Sequence, residues 1–188
     1  MAYTQTVISN GKDIYEIIDT IVKIGLGALI GGIFSFITLK SNQKHEVSKE
    51  KRAYKIKNLD SASIILEEYF KASYNLMNCY YGYSTSNYKK PSELDKVGTD
   101  RLLDLDKKYL ESINRAQESI SKFNIINLHN INTLIESHDI IVIKERNQIM
   151  AKNATFPNFS DIDNKMDEMV KIKKRCHFEI NQYFEKLE

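Results

Sequence analysis

The sequence predicts an all-α protein: an N-terminal transmembrane helix that continues into a basic helical stalk, then a cytoplasmic up-down-up-down four-helix bundle or antiparallel coiled coil. Three observations predict this class. Residues 21–39 are almost entirely apolar, apolar residues recur at a 3-4 spacing from residue 56 onward, and the 188 residues include only 7 Gly and 2 Pro. The predicted divisions are a short extracytoplasmic tail (1–20), the transmembrane helix (21–39), a basic juxtamembrane stalk (40–55) and the helical bundle (56–188).

The transmembrane helix is predicted from length and charge. Residues 24–39 contain no charged side chain, and 19 helical residues span about 28 Å, close to the thickness of the hydrocarbon core of a bilayer. One alternative is a buried core helix of a soluble protein. A cleaved signal peptide fits less well, because Asp13, Glu16 and Asp19 precede the apolar run and no small-x-small cleavage site follows it.

The distribution of basic residues predicts the orientation of this helix. Only Lys12 precedes the apolar run, whereas seven basic residues follow it within 18 positions. By the positive-inside rule, the N-terminus lies outside and the C-terminal bundle lies on the cytoplasmic side of an inner (plasma) membrane. The same residues are candidate contacts to anionic lipid, although they can also act only to fix topology. They are Lys40, Lys44, Lys49, Lys51, Arg52, Lys55 and Lys57.

Small residues form a stripe on the predicted transmembrane helix. Gly27, Gly31 and Ser35 are spaced by four, as are Ala28 and Gly32. This spacing allows another helix to approach closely, so it predicts self-association as a homo-oligomer. The alternative is that glycine is simply more frequent in membrane helices. No Asp, Glu or His lies in the middle of the segment, which argues against a proton relay.

Four helices are predicted beyond the stalk. The first runs from residue 56 to 81 and is stopped by Gly82. Ser92 and Asp95 predict the start of the second, the third covers 125–152, and Ser160 opens the fourth. Short connections make neighbouring helices antiparallel, which gives the bundle. The alternative is a two-hairpin coiled coil that closes only by dimerisation, because polar residues interrupt the apolar seams.

No catalytic, cofactor or metal site is predicted. Cys79 and Cys176 fall about 24 Å apart in the predicted helices, too far for a disulfide, and Cys176 lies on an apolar seam, which is typical of a core residue. His138 lies opposite the turn from residue 173 to 176, but one His and one Cys are too few ligands for zinc. Asp104 and Asp106 are predicted to lie on a solvated face. Glycine-rich phosphate loops, GxSxG, HExxH and CxxC are absent from the sequence.

Two functions are compatible with these features. The first is a non-catalytic, membrane-anchored interaction or assembly module that binds a cytoplasmic protein; its candidate contact residues are Tyr80, Tyr81, Tyr83 and Tyr88, because tyrosine offers large amphipathic area. The alternative is a membrane-perturbing effector of the toxin or antiviral-defence type. The basic residues at 171–175 are balanced by Asp167, Glu168 and Glu179 at helical spacing, which argues against nucleic acid. The Ile-, Lys- and Asn-rich composition favours a bacterial or phage origin. The layout is similar to that of many small bacterial membrane proteins, and no motif names a family.

Overall fold

The computed structural model describes residues 10–86, 88–151 and 154–187, with side chains from residue 16 onward. Within these residues the protein is all-helical and contains no strand. The helices are α1 (Asn10–Thr85), α2 (Lys96–Ile125), α3 (Asn130–Ile149) and α4 (Phe159–Glu185), and a 3-10 turn covers Pro91–Glu93. The predicted all-α class is confirmed.

The chain divides into two compact units, Met1–Lys51 and Arg52–Glu188. The division falls inside α1 and within the predicted stalk, so one helix contributes to both units. Residues 10–20 of the predicted tail are helical and belong to α1; residues 1–9 lie outside the described residues.

The first helix of the predicted bundle does not stop at Gly82. Helix α1 continues to Thr85, because a single glycine weakens a helix by only about 1 kcal/mol. Side chains beyond it also bond back to the last turn: Ser84 Oγ donates to the Tyr80 carbonyl at 2.9 Å, and Thr85 Oγ1 donates to the Tyr81 carbonyl at 3.1 Å. The predicted end of this helix at residue 81 was therefore wrong by four residues.

Helix α2 begins at Lys96, three residues later than a cap at Ser92 would start it. Pro91–Glu93 form the 3-10 turn, and the Glu93 carboxylate accepts from the backbone N–H of Lys89 and Lys90 at 2.7 and 3.2 Å. The cap of α2 is Asp95, whose Oδ1 accepts from the Gly98 N–H at 2.7 Å. The sequence prediction used Ser92 as the cap and Asp95 as a residue of the first turn, whereas Asp95 is the N-cap itself.

Asn127 separates α2 from α3. Its φ of 64° is the left-handed conformation, which asparagine tolerates better than most residues. This turn ends α2 at Ile125 and delays α3 to Asn130, so the predicted start of the third helix at 125 was wrong by five residues. That helix ends at Ile149; its predicted end, Lys152, lies outside the described residues. At α4, Asn158 is the cap rather than Ser160, and it accepts from the Ser160 N–H at 3.2 Å.

All four helices contribute to one hydrophobic core in the 52–188 unit. Helices α1 and α2 are tied by Ser119 Oγ, which donates to the Ala62 carbonyl at 2.8 Å. The seams predicted from the 3-4 spacing supply most of the core. Its largest fully buried members are Tyr69, Tyr80, Tyr109, Phe123, Leu59, Leu66, Leu76, Met77, Ile126, Ile131, Ile149 and Ile162.

Candidate functional site

The apolar segment at 21–39 is fully exposed. Helix α1 contains an 18-residue window with mean hydropathy 1.9, none of it buried, near the N-terminus. By length and composition, this helix could cross a membrane. A core helix of a soluble protein or a signal sequence meets the same criteria. The candidate lipid-contacting basic residues are exposed as well, except that Lys55 is half-buried.

The small-residue stripe lies on an open surface. A Cβ atom added at Gly27, Gly31 or Gly32 would meet nothing within 4 Å. Ala28 and Ser35 are exposed. The stripe therefore has room for another helix, and its self-association stays a prediction.

The 52–188 unit contains a cavity of about 550 Å³ between α1, α3 and α4. Its apolar wall comes from Phe70 and Tyr74 of α1 and from Met169 and Val170 of α4, and α3 contributes His138. The remaining lining residues are polar or charged: Glu67, Glu68, Lys71, Asn75 and Lys173. Its volume falls within the 300–1,000 Å³ that small-molecule pockets occupy.

His138 is held by a buried hydrogen-bond network. The side chain is 2% exposed. Its Nδ1 lies 2.9 Å from Tyr69 Oη, which in turn donates to Asp139 Oδ1 at 3.1 Å. Tyr109 Oη donates to the same carboxylate oxygen at 2.7 Å. Burial and the Asp139 charge raise the pKa of both tyrosines, so each keeps its proton and the network joins α1, α2 and α3.

The network determines which nitrogen of His138 carries the proton. Tyr69 has one hydroxyl hydrogen, and if it pointed at Nδ1, the Tyr69 and Asp139 oxygens would face each other without a hydrogen between them. Every contact is satisfied when Tyr69 donates to Asp139 and accepts from His138 Nδ1–H. His138 Nε2 then carries the lone pair. Burial, with a smaller contribution from the nearby Lys173 charge, lowers the pKa of His138 to about 4, so the ring is neutral at neutral pH.

A charged cluster lies beside the cavity. Lys173 Nζ donates to Glu67 Oε2 at 2.7 Å, and His177 Nε2 contacts Glu67 Oε1. Partial burial opposes ionisation of Glu67, but the hydrogen bonds from these two groups outweigh it and lower its pKa. Lys173 Nζ also lies 5.7 Å from the centroid of the Phe70 ring, a cation-π contact. The sequence prediction that His138 lies opposite Lys173 is confirmed, since both line one cavity.

A second polar group lies inside the core. Arg146 donates to both carboxylate oxygens of Asp106, at 2.5 and 3.0 Å, and the fully buried Glu145 pairs with Lys165. Asp106 is 8% exposed, so its predicted place on a solvated face was wrong. The sequence did contain a signal, because both carboxylates fall on apolar seams: Asp106 between Leu102 and Tyr109, and Glu145 between Val142 and Ile149.

The four candidate contact tyrosines have different surroundings. Tyr80 is 0% exposed in the core, so its predicted place on the contact surface was wrong. It continues the 3-4 apolar spacing of α1, which explains its burial. Tyr81, Tyr83 and Tyr88 are half-buried. Tyr83 Oη donates to the Gly98 carbonyl at 2.9 Å, and the Tyr83 and Tyr88 rings pack edge-on at 6.0 Å between centroids.

The two cysteines are free and buried. Burial raises the pKa of Cys176 to about 12, which suppresses the nucleophilic thiolate, and its 0% exposure confirms the predicted core position. Within the part of the chain that the structure describes, no group of three or more His, Cys, Asp or Glu residues is arranged to hold a metal ion.

Comparisons with protein-family models, curated proteins and solved structures find no match to this chain.

Proposed function

We propose that the protein is a single-pass, membrane-anchored helical module that binds or assembles protein partners and has no catalytic activity of its own. The observation that carries the proposal is the exposed apolar segment at 21–39 on α1, none of whose hydropathic window is buried. Apolar side chains surround this part of the helix, and such a segment is stable when lipid covers it.

The proposed topology places residues 1–20 outside and the 52–188 unit in the cytoplasm of a bacterial inner membrane. The seven basic residues between 40 and 57 support this orientation. An up-down-up-down arrangement of the four helices is part of the proposal. It is supported by the short connections at Ile126–His129 and between α3 and α4.

Two surfaces serve association in this proposal. The open stripe at Gly27, Gly31 and Ser35 lets membrane helices approach one another. Tyr81, Tyr83 and Tyr88 present partly exposed rings near the end of α1, where they can contact a cytoplasmic protein.

The alternative is a membrane-perturbing effector that acts when its transmembrane helices cluster. The same open glycine stripe favours it, because clustering requires close helix approach. The two functions differ in what the stripe is for: an assembly module uses it to raise the local concentration of the 52–188 unit, whereas an effector needs it for activity.

The experiment combines membrane fractionation with crosslinking of the full chain, tagged at the C-terminus, and a dye-leakage assay on vesicles. The test variant carries Gly27→Leu and Gly31→Leu. The control carries Leu26→Phe and Ile33→Phe, which enlarge two exposed side chains on the helix face away from the stripe. We expect the unaltered chain in the membrane fraction, crosslinked to one dominant protein. In the test variant, the yield of self-crosslinks should fall several-fold, and the crosslink to the partner protein should remain.

Two outcomes would contradict the proposal. Recovery of the unaltered chain in the soluble fraction would show that the segment 21–39 does not anchor the protein in a membrane. Dye leakage that the double glycine variant abolishes and the Leu26→Phe, Ile33→Phe control retains would favour the effector over the assembly module.

A further inference from the structure

We propose that the cavity between α1, α3 and α4 is a binding site for a small, uncharged, largely apolar molecule that carries one O–H or N–H donor, and that His138 Nε2 accepts that donor. This assigns the 52–188 unit a ligand in addition to the protein partner proposed above. The site is built from Phe70, Tyr74, Met169 and Val170 as the wall and His138 as the polar anchor.

The anchor is an unpartnered polar atom on a buried side chain. His138 is only 2% exposed, and its Nδ1 is hydrogen-bonded to Tyr69 Oη. Nε2 has no hydrogen-bond partner among the described residues. The partnerless side-chain atoms that are sealed from solvent are Tyr80 Oη, Asn132 Oδ1 and Glu145 Oε2. Nε2 is not one of them, and His138 lines the cavity; the proposal places Nε2 at the cavity surface.

The hydrogen-bond network specifies the chemistry of the group that meets this atom. Because the proton of His138 is on Nδ1, Nε2 can only accept. A ligand carbonyl or ether oxygen would place two lone pairs against each other, whereas a hydroxyl or N–H group supplies the missing hydrogen. The rigid ring is fixed by Tyr69 and by edge-on contact with Phe70, at 4.9 Å between centroids, so the acceptor is oriented before the ligand arrives.

The charges beside the cavity favour an uncharged ligand. Lys173 is paired with Glu67, and Glu68 is paired with Arg115. Lys71 is exposed and remains hydrated at the rim. A charged group against His138 would lose water without gaining an opposite charge there, which is strongly unfavourable. The volume of about 550 Å³ is also larger than a single protein side chain fills, which favours a small molecule over one inserted side chain of a partner.

The test compares two fluorescent probes that differ in whether the oxygen on the ring carries a hydrogen or a methyl group. 2-Naphthol carries the donor, and 2-methoxynaphthalene has the same ring system without it. The chain contains no Trp, and its 11 Tyr absorb at shorter wavelengths than the naphthalene rings, so either probe can be excited selectively. Titrations use the full chain in lipid nanodiscs, with empty nanodiscs subtracted as the blank. We expect 2-naphthol to bind about tenfold more tightly than its methyl ether, the effect of one net hydrogen bond.

Two variants locate the site. His138→Phe should bring the two probes to equal affinity. Val170→Phe, at a lining residue that is 37% exposed, should weaken both probes about tenfold or more by filling the cavity, and it leaves His138 and its network intact. Val97→Phe, at a residue that is 74% exposed and outside the cavity, is the matched control and should change neither affinity.

Equal affinity of the two probes for the unaltered chain would overturn the proposal. So would binding that Val170→Phe leaves unchanged, or a signal that follows only lipid content. If His138→Phe fails to fold, Val170→Phe and the probe pair still decide the question. Loss of the proposed protein partner in crosslinking would not affect these results, so the two proposals fail separately.

Discussion

Two stretches of α1 have opposite surroundings. In the first, Ile24 and Phe34 are 68% and 67% exposed; in the second, Leu59 and Tyr69 are each 1% exposed. Both stretches are regular helix, so backbone geometry does not explain the difference. It follows from where the polar side chains lie.

The second stretch is amphipathic, with Glu67, Glu68 and Lys71 exposed opposite the buried seam. Such a helix needs apolar partners on one side only, and α2, α3 and α4 supply them. The 21–39 segment has no polar face. A helix without a polar face requires apolar surroundings on every side, which lipid provides. The comparison teaches that periodicity, more than total hydrophobicity, separates a core helix from a helix that is apolar on every face.

The largest expected effect comes from charging the first stretch. Ile30→Lys combined with Phe34→Lys places two ammonium groups near the middle of 21–39, each unfavourable by about 3 kcal/mol for membrane insertion. We expect the carbonate-resistant membrane fraction of the full chain to fall at least tenfold. The matched control is Ile64→Lys with Ile140→Lys, at residues that are 62% and 67% exposed in the 52–188 unit; it should stay in the membrane. Equal behaviour of the two double variants would eliminate the comparison.

A smaller effect is expected from the polar network in the second unit. Asp139→Ala removes the acceptor of Tyr69 Oη and Tyr109 Oη, which leaves the buried Tyr109 hydroxyl without an acceptor and Tyr69 with only its bond to His138. This should lower the free energy of unfolding by about 2–4 kcal/mol. Asp104→Ala, which breaks an exposed pair with Lys108, should lower it by less than about 0.5 kcal/mol. Denaturant unfolding followed by tyrosine circular dichroism measures both, and similar losses would show that the network contributes little.

Sequence patterns predict the parts of this fold that depend on many residues. The 3-4 spacing identified the seams that bury Leu66, Phe70 and Met77, because burial of a helix face follows its period. Helix ends depend on single residues and were less predictable. Asn127 ends α2 through a left-handed backbone conformation, and Asp95 caps through one hydrogen bond. Neither helix end could be predicted, because several neighbouring polar residues could each have formed the turn or the cap.

The candidate site was only partly predictable. Antiparallel pairing brought His138 toward Lys173 in the sequence prediction, and both line the cavity. The partners of His138 were missed, because the polar Asp139 is expected at the surface, whereas in the structure it is half-buried and the apolar Ile140 is exposed. Which of two adjacent residues faces Tyr69 and Tyr109 depends on the rotation of α3 about its own axis. That rotation is set by packing of all four helices rather than by local sequence.

The smallest predicted effect is a pH dependence that sharpens the same comparison, since it belongs to the core of the second unit. Burial lowers the pKa of His138 from 6.5 to about 4, so the unfolded chain binds a proton there before the folded chain does. The stabilisation is complete above pH 6.5 and is lost as pH falls toward 4, by about 2 kcal/mol between pH 7 and 4.5. Glu67, whose pKa is lowered, loses its contribution only below its ordinary 4.5, so the two windows separate. Denaturant unfolding at pH 7.0, 5.5 and 4.5 should show this slope in the unaltered chain and in His129→Gln, at an exposed histidine, and a much flatter one in His138→Gln. A slope that survives His138→Gln would mean that protonation of another group destabilises the fold in this range.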